Sequence, residues 1–157
     1  MSKNLEQFVL ERARELNPKV ADLSEALFEF ALSAEEVNAI KFTMLAGADC
    51  DARNDFGYAP EVVAIFEEKP AIFKTILEGG ANPDIADNKG RTLAMHVVLS
   101  DLTQEKKIQM LELLKQFGAD FTRTDCTGKT VKDYAQTKYH QEVIHFLDNQ
   151  GGPDLPS

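Results

Sequence analysis

The segment that decides the fold runs from Gly80 to Thr92 and reads Gly80-Ala81-Asn82-Pro83-Asp84-Ile85-Ala86-Asp87-Asn88-Lys89-Gly90-Arg91-Thr92. Related segments begin at Gly47 and Gly118. Every copy has a Gly-Ala-Asp/Asn start, an Asp/Asn-x-x-Gly turn and two glycines ten residues apart. The first two copies are 33 residues apart and the third follows after 38. A repeat of this period predicts a solenoid, in which each unit buries its apolar face against its neighbours.

The composition is that of an ordinary folded protein: 157 residues, of which 43% are hydrophobic and 27% charged. No apolar run approaches the roughly 20 residues that span a membrane, and residues 1–7 lack a secretory signal pattern. We therefore expect no membrane insertion, and a protein that is cytoplasmic or secreted without a classical signal; a trimmed signal peptide is the open alternative. Two cysteines, Cys50 and Cys126, make no disulfide framework and favour a reducing compartment.

The charge is strongly acidic and unevenly distributed. The formal net charge is −9. Residues 1–83 hold 8 basic and 15 acidic side chains, whereas residues 84–157 hold 9 and 11. Because contacts with phosphates supply most non-specific affinity for nucleic acid, an acidic chain is not expected to bind DNA or RNA.

Apolar residues at helical spacing predict nine helices. The first should bury a stripe that includes Phe8 and Leu16, and the third should bury Phe42 and Leu45. Ser33 and Glu36 fit a capping box at the start of the third helix, and the five-residue excess of the third repeat is expected in the turn at 101–103. The predicted helices cover about 2–16, 20–32, 34–46, 60–68, 71–79, 92–100, 104–117, 130–137 and 139–149.

This pattern resembles the ankyrin repeat, a turn or hairpin followed by two antiparallel helices. The Gly-x-Thr-Pro-Leu-His-x-Ala signature of that family survives in part, and its histidine position holds Val62, Met95 or Asp133. The resemblance covers residues 47 to about 149. It implies an all-α ankyrin-repeat solenoid of about four stacked helix-turn-helix units with short hairpin fingers. We expect an N-terminal helix packing on the array at 1–18, a capping helix pair at 19–50, three ankyrin-like repeats at 51–150 and a flexible tail at 151–157.

Motifs that would indicate catalysis or cofactor binding are incomplete. Gly128-Lys129-Thr130 ends like a phosphate-binding loop, but Arg123 stands where that loop needs its first glycine. The stretch 49–54 begins like a calcium loop, yet Arg53 holds a ligand position. The histidines and cysteines lack zinc spacing, and no serine or cysteine has an evident base. We expect no catalytic residue, cofactor or metal.

The function implied by the resemblance is protein binding without catalysis, through the concave surface formed by the fingers and the first helix of each pair. We expect a stoichiometric inhibitor, adaptor or immunity-type protein that is monomeric when free. Phe56 and Tyr58 are notable because they are aromatic residues on a polar loop, and such residues often anchor interfaces. The predicted contact residues are Arg53, Asp55, Phe56, Tyr58 and Phe66 in the first repeat, Asn88, Lys89 and Arg91 in the second, and Thr127, Lys129 and Lys138 in the third.

Two alternatives stay open at this point. The acidic N-terminal helices, with Glu25, Glu29 and Glu35, could contact a basic partner in place of the fingers. A small enzyme could use the concavity, which would require a deep pocket with convergent polar groups.

Overall fold

The structure, a computed structural model, describes residues 4–33 and 37–149. This part of the chain forms nine α-helices and no strand, apart from one isolated antiparallel bridge between Ala86 and Thr92. The predicted all-α class is confirmed, and the helix ends among the described residues agree within three positions. The helices are α1 Leu5–Leu16, α2 Leu23–Ser33, α3 Val37–Leu45, α4 Pro60–Phe66, α5 Pro70–Glu78, α6 Leu93–Leu99, α7 Gln104–Gln116, α8 Val131–Thr137 and α9 Gln141–Asn149.

Three predictions fall outside the described residues. They are the capping box of Ser33 and Glu36, the role of Glu35 and the flexible tail at 151–157. The four predicted segments of the chain also stay a prediction.

The chain divides into two compact units, Met1–Asn82 and Pro83–Ser157. In the first unit α2 packs beside α4 and α3 beside α5, while α1 covers α2 and α3. In the second unit α6 packs beside α8 and α7 beside α9. Each unit is therefore two layers of helices that share one core, because helices this short cannot bury an apolar face alone.

The core side chains confirm helical periodicity but correct the buried face of α3. Ile40 and Thr43 are fully buried there, whereas Phe42 is 51% and Leu45 74% exposed. Residues two apart on a helix point to nearly opposite sides, so burying Ile40 turns Phe42 outward. The Thr43 hydroxyl donates to the Ala39 carbonyl at 2.6 Å and so is satisfied inside the core.

The apolar stripe of α1 is likewise narrower than predicted. Val9 and Ala13 are buried, whereas Phe8 is 57% exposed and Leu16 40% exposed. The prediction that Phe8 and Leu16 are buried was therefore wrong. Only the side of α1 that faces α2 and α3 loses its contact with water.

The fingers are five-residue turns built in the same way in all three copies. They cover 54–58, 87–91 and 125–129. In each, the N–H of the first residue donates to the carbonyl of the fifth, and the glycine N–H donates to the carbonyl of the first, at 2.9–3.0 Å. The side-chain oxygen of the first residue, Asn54, Asp87 or Asp125, accepts from the third and fifth backbone N–H groups at 2.8–3.1 Å. In each finger, four backbone N–H groups and two backbone carbonyls are thereby hydrogen-bonded within the turn.

A second repeated interaction, a hydrogen bond from a backbone N–H to an aspartate side chain, joins neighbouring copies within each unit. In the first unit Asp51 accepts the Asn82 N–H at 2.9 Å, and in the second Asp84 accepts the Asp120 N–H at 2.7 Å. Asp51 and Asp84 are 33 residues apart and occupy the same position of the repeat. In the second unit the fingers are also joined directly, since the Cys126 N–H donates to the Lys89 carbonyl at 2.9 Å.

The extra length of the third repeat lies mainly in a helix, which corrects the expectation of a longer turn at 101–103. The turn between α6 and α7 is only one residue longer than that between α4 and α5. Helix α7 has 13 residues and α5 has 9. One added helical turn keeps the apolar stripe in phase, and Met110, Leu111 and Leu114 are all fully buried.

Glu61 is an exception to the pattern of an apolar core. It is fully buried on α4, and neither carboxylate oxygen has a hydrogen-bond partner. Burial raises the pKa of Glu61 to about 8, with smaller effects from Asp51 and Asp49 in the same direction, whereas its own backbone N–H and Arg53 oppose the shift. The group is therefore held as a neutral acid near pH 7.

We predict that Gly90→Ala destabilises the protein more than Gly128→Ala. Each glycine is the fourth residue of its finger and has a positive φ, +77° for Gly90 and +82° for Gly128. An added Cβ at Gly90 would lie 3.0 Å from the Cys126 nitrogen, whereas one at Gly128 would meet nothing within 4 Å. Gly128→Ala should cost about 1–2 kcal/mol through its backbone conformation alone, and Gly90→Ala more. Urea unfolding measures both, and equal losses would contradict the close approach.

We predict that Glu61→Leu stabilises the protein at pH 8 and has a much smaller effect at pH 4.5. The raised pKa means that the folded state holds a proton which the unfolded state releases between pH 4.5 and about 8. Stability from this group is therefore present at low pH and falls by on the order of 1 kcal/mol per pH unit across that window. The difference between the unfolding free energies of the variant and the wild type, measured at each pH, gives the contribution of Glu61 to stability. Glu67→Leu, at an exposed position, is the control, and a difference independent of pH would contradict the assignment.

Candidate functional site

The first finger places its aromatic residues in two different settings. Phe56 is 77% exposed at the tip. Tyr58 is half-buried, and its ring stands edge-on to that of Phe66, with centroids 5.1 Å apart. Phe66, at the end of α4, is itself 47% exposed. We refer to Phe56, Tyr58 and Phe66 as the aromatic patch.

The polar neighbours of the aromatic patch hold the first finger rigid. The Asn54 side chain accepts the backbone N–H groups of Phe56 and Tyr58. The Arg53 guanidinium donates to the Gly57 carbonyl at 3.0 Å, while Asp55 is exposed to solvent. Arg53 is therefore partly used in closing its own loop, a role that its position in the sequence did not reveal.

The second finger is organised around a buried carboxylate. Asp87 accepts four hydrogen bonds at 2.9 Å: from the N–H groups of Lys89 and Arg91, from Arg91 Nε and from His96 Nε2. Burial of Asp87 raises its pKa, but the hydrogen bonds from Arg91 and Lys89 outweigh this and leave the pKa lowered. Burial lowers the pKa of His96 despite the adjacent carboxylate. Of the predicted contact residues, Asn88 and Lys89 are exposed, whereas Arg91 is half-buried on Asp87.

The third finger repeats this arrangement with different chemistry. Asp125 accepts from the Thr127 and Tyr134 hydroxyls as well as from the finger backbone, and these bonds lower its pKa, with the Thr127 hydroxyl contributing most. The Lys129 ammonium lies over the Tyr134 ring, 5.6 Å from its centroid. Thr127 and Lys129 are exposed, as is Lys138 at the end of α8.

A buried lysine binds three elements of the second unit together. Lys107 on α7 is 1% exposed. Its ammonium donates to the Val98 carbonyl at 2.7 Å and lies 2.9 Å from His140 Nε2. Burial lowers the pKa of both side chains, which keeps His140 a neutral acceptor. This pair satisfies polar groups inside the fold.

A cleft in the first unit is lined both by an acidic N-terminal helix and by the first finger, which the sequence suggested as alternative binding surfaces. It has a volume of about 510 Å³ and lies between α2 and the first finger. Glu25 and Glu29 of α2 line one side, and Arg53 and Asp55 of the finger line the other. Asp22, Phe28 and Leu32 also line it and were missed, although their spacing from Glu25 and Glu29 at three and four residues indicates a shared face of α2.

The described residues show no arrangement typical of a metal or membrane site. Among residues 4–33 and 37–149, no three His, Cys, Asp or Glu side chains are placed to hold a metal ion. No helix in that part of the chain is long and apolar enough to cross a membrane. Each of the three histidines has a hydrogen-bond partner within the protein, Asp87 for His96, Lys107 for His140 and Asn149 for His145.

The known proteins to which the chain is similar include three that share one name. The chain is 27% identical over 124 residues to cyclin-dependent kinase 4 inhibitor B of Mus musculus and of Rattus norvegicus, covering 79% of this chain and 92% of each relative. It is 25% identical over 122 residues to the inhibitor of the same name from Bos taurus, covering 78% and 89%. No protein-family model matches the sequence.

These relatives are ankyrin-repeat proteins. The alignment extends over most of both chains, and the paired helices and three equivalent finger turns have the architecture that the repeats predicted. The resemblance to ankyrin repeats, inferred from the glycine and Asp/Asn framework, is thereby confirmed.

Proposed function

We propose that the chain is a non-catalytic protein-binding module that acts as a stoichiometric inhibitor of its partner. The observation that carries this proposal is the aromatic patch, where Phe56 is 77% exposed on a finger whose turn is closed by backbone hydrogen bonds and by the Asn54 side chain. A large aromatic side chain on a rigid support loses little conformational freedom on binding, which is why such residues dominate interface energies.

The three related proteins support inhibition over a purely adaptor role. Each is named as an inhibitor of cyclin-dependent kinase 4. The alignment covers about nine-tenths of each relative, so the similarity is not confined to one repeat.

The remaining predicted contacts divide into exposed residues and residues that support them. Asp55, Asn88, Lys89, Thr127, Lys129 and Lys138 are exposed and available to a partner. Arg53, although exposed, and half-buried Arg91 donate hydrogen bonds within their own fingers, and the Tyr58 ring packs edge-on against Phe66. We propose that the exposed group contacts the partner directly and that Arg53, Arg91 and Tyr58 chiefly shape the fingers. The free protein is proposed to be a cytoplasmic monomer.

Phe56→Ala should weaken binding of the native partner at least fivefold, which corresponds to about 1 kcal/mol. The partner is first captured from host extract on the immobilised chain, identified by mass spectrometry and purified. Isothermal titration calorimetry then measures affinity and stoichiometry, with one partner per chain expected.

Leu45→Ala is the matched control, because Leu45 is 74% exposed on α3, away from the finger. Its affinity should equal that of the wild type, and both variants should unfold at the wild-type urea concentration. Unchanged affinity of Phe56→Ala would remove the aromatic patch from the interface. Failure to retain any protein would contradict the binding function itself.

A further inference from the structure

The cleft between α2 and the first finger has an apolar floor under a charged rim. Leu32 is 48% exposed and Phe28 is half-buried on its α2 side, and buried Val20 also lines it. Its volume of about 510 Å³ falls in the range of pockets that enclose a small group, roughly 300–1,000 Å³. Apolar side chains exposed in a concave position gain most when a ligand removes them from water.

The rim of the cleft is predominantly negative. Its charged side chains are four carboxylates, Asp22, Glu25, Glu29 and Asp55, against the cations of Lys19 and Arg53. Arg53 already donates to the Gly57 carbonyl. Among the described residues, no cation lies within ion-pair distance of Asp22, Glu25 or Asp55. The rim therefore has a surplus of negative charge in a unit whose residues 1–82 carry 8 basic and 15 acidic side chains.

Hydrogen bonds fix the carboxylates of α2 before any ligand arrives. Glu25 accepts the Ala21 N–H at 2.7 Å, and Asp22 accepts the Glu25 N–H at 2.9 Å. Glu29 accepts from the Asn17 side chain at 3.1 Å. Carboxylates already held in place lose little entropy when they bind a cation, so their geometry favours a charge-assisted bond.

We propose that this cleft receives a basic segment of the partner protein, with an arginine at the carboxylate rim and an adjacent apolar side chain on Phe28 and Leu32. The inference rests on the proposed binding function and names the chemistry of its partner. Charge complementarity selects the cation, and the apolar floor selects a segment that carries an aliphatic or aromatic residue beside it. Arginine suits the site better than lysine because its planar guanidinium pairs with two carboxylate oxygens and stacks on an aromatic ring.

The test uses the full ¹⁵N-labelled chain and a synthetic 12-residue peptide in which the dipeptide Arg-Leu is repeated six times. Nuclear magnetic resonance titration should shift amide signals mainly within residues 17–32 and 53–55. The double variant Glu25→Lys/Asp55→Lys should weaken peptide binding at least tenfold. A peptide with glutamate in place of every arginine should not bind.

The double variant Glu105→Lys/Glu112→Lys is the matched control. It makes the same change in net charge on exposed positions of α7, so peptide affinity should stay within twofold of the wild type. An equal loss in both variants would show non-specific attraction and overturn the proposal. So would signals that shift outside the cleft, or free arginine amide binding as tightly as the peptide.

Titration of the purified native partner separates this inference from the function on which it rests. If the partner binds the wild type but the Glu25→Lys/Asp55→Lys variant binds it equally well, the cleft assignment fails while the protein-binding function stands. If the partner also loses at least tenfold affinity for that variant, the cleft is part of the interface. A urea unfolding curve of the variant checks that it is fully folded under the conditions of the titration, so that a loss of affinity is not caused by unfolding.

Discussion

The structure depends on one short interaction, the pairing of a side-chain oxygen with the two backbone N–H groups that follow it in each finger. Asn54, Asp87 and Asp125 all make it, and it fixes the point at which the chain reverses and enters the first helix of a pair. The residue nine positions after each of these three differs according to whether the accepting side chain is an amide or a carboxylate. It is Val63 in the copy with neutral Asn54, whereas His96 and Tyr134 hydrogen-bond to the two carboxylates. A buried ionised group needs a donor, whereas an amide satisfied by the backbone does not.

The repeat made the fold predictable because the same turn residues and helix-forming stretches occur three times in the sequence. A pair of glycines ten residues apart in each copy, helix-forming stretches between the copies and apolar residues at three- and four-residue intervals were enough to place the nine helices of the described residues. Details that depend on neighbouring helices were not predictable from one chain. The outward turn of Phe42 follows from which face of α3 meets α5, and the additional turn of α7 could equally have been an extended loop.

The candidate site was predictable only in part. The exposed Phe56 was recognisable because nothing local explains an aromatic residue on a polar turn. The internal use of Arg53 and Arg91 was hidden, since an arginine on a loop looks the same whether it faces solvent or closes its own turn. The cleft was hidden for a different reason. Its walls, α2 and the first finger, are more than 20 residues apart in sequence, so only the packing of α2 against α4 brings Glu25 and Asp55 to one place.

The account makes the first-unit face, formed by the cleft and the aromatic patch, the main contact with a protein partner. Hydrogen-exchange mass spectrometry of the full chain, free and saturated with its purified partner, tests this most directly because it reports on every segment without substitution. The account predicts that slower exchange on binding concentrates in residues 19–32 and 53–66. Protection confined to α3 and α5, with no change in those two segments, would contradict it.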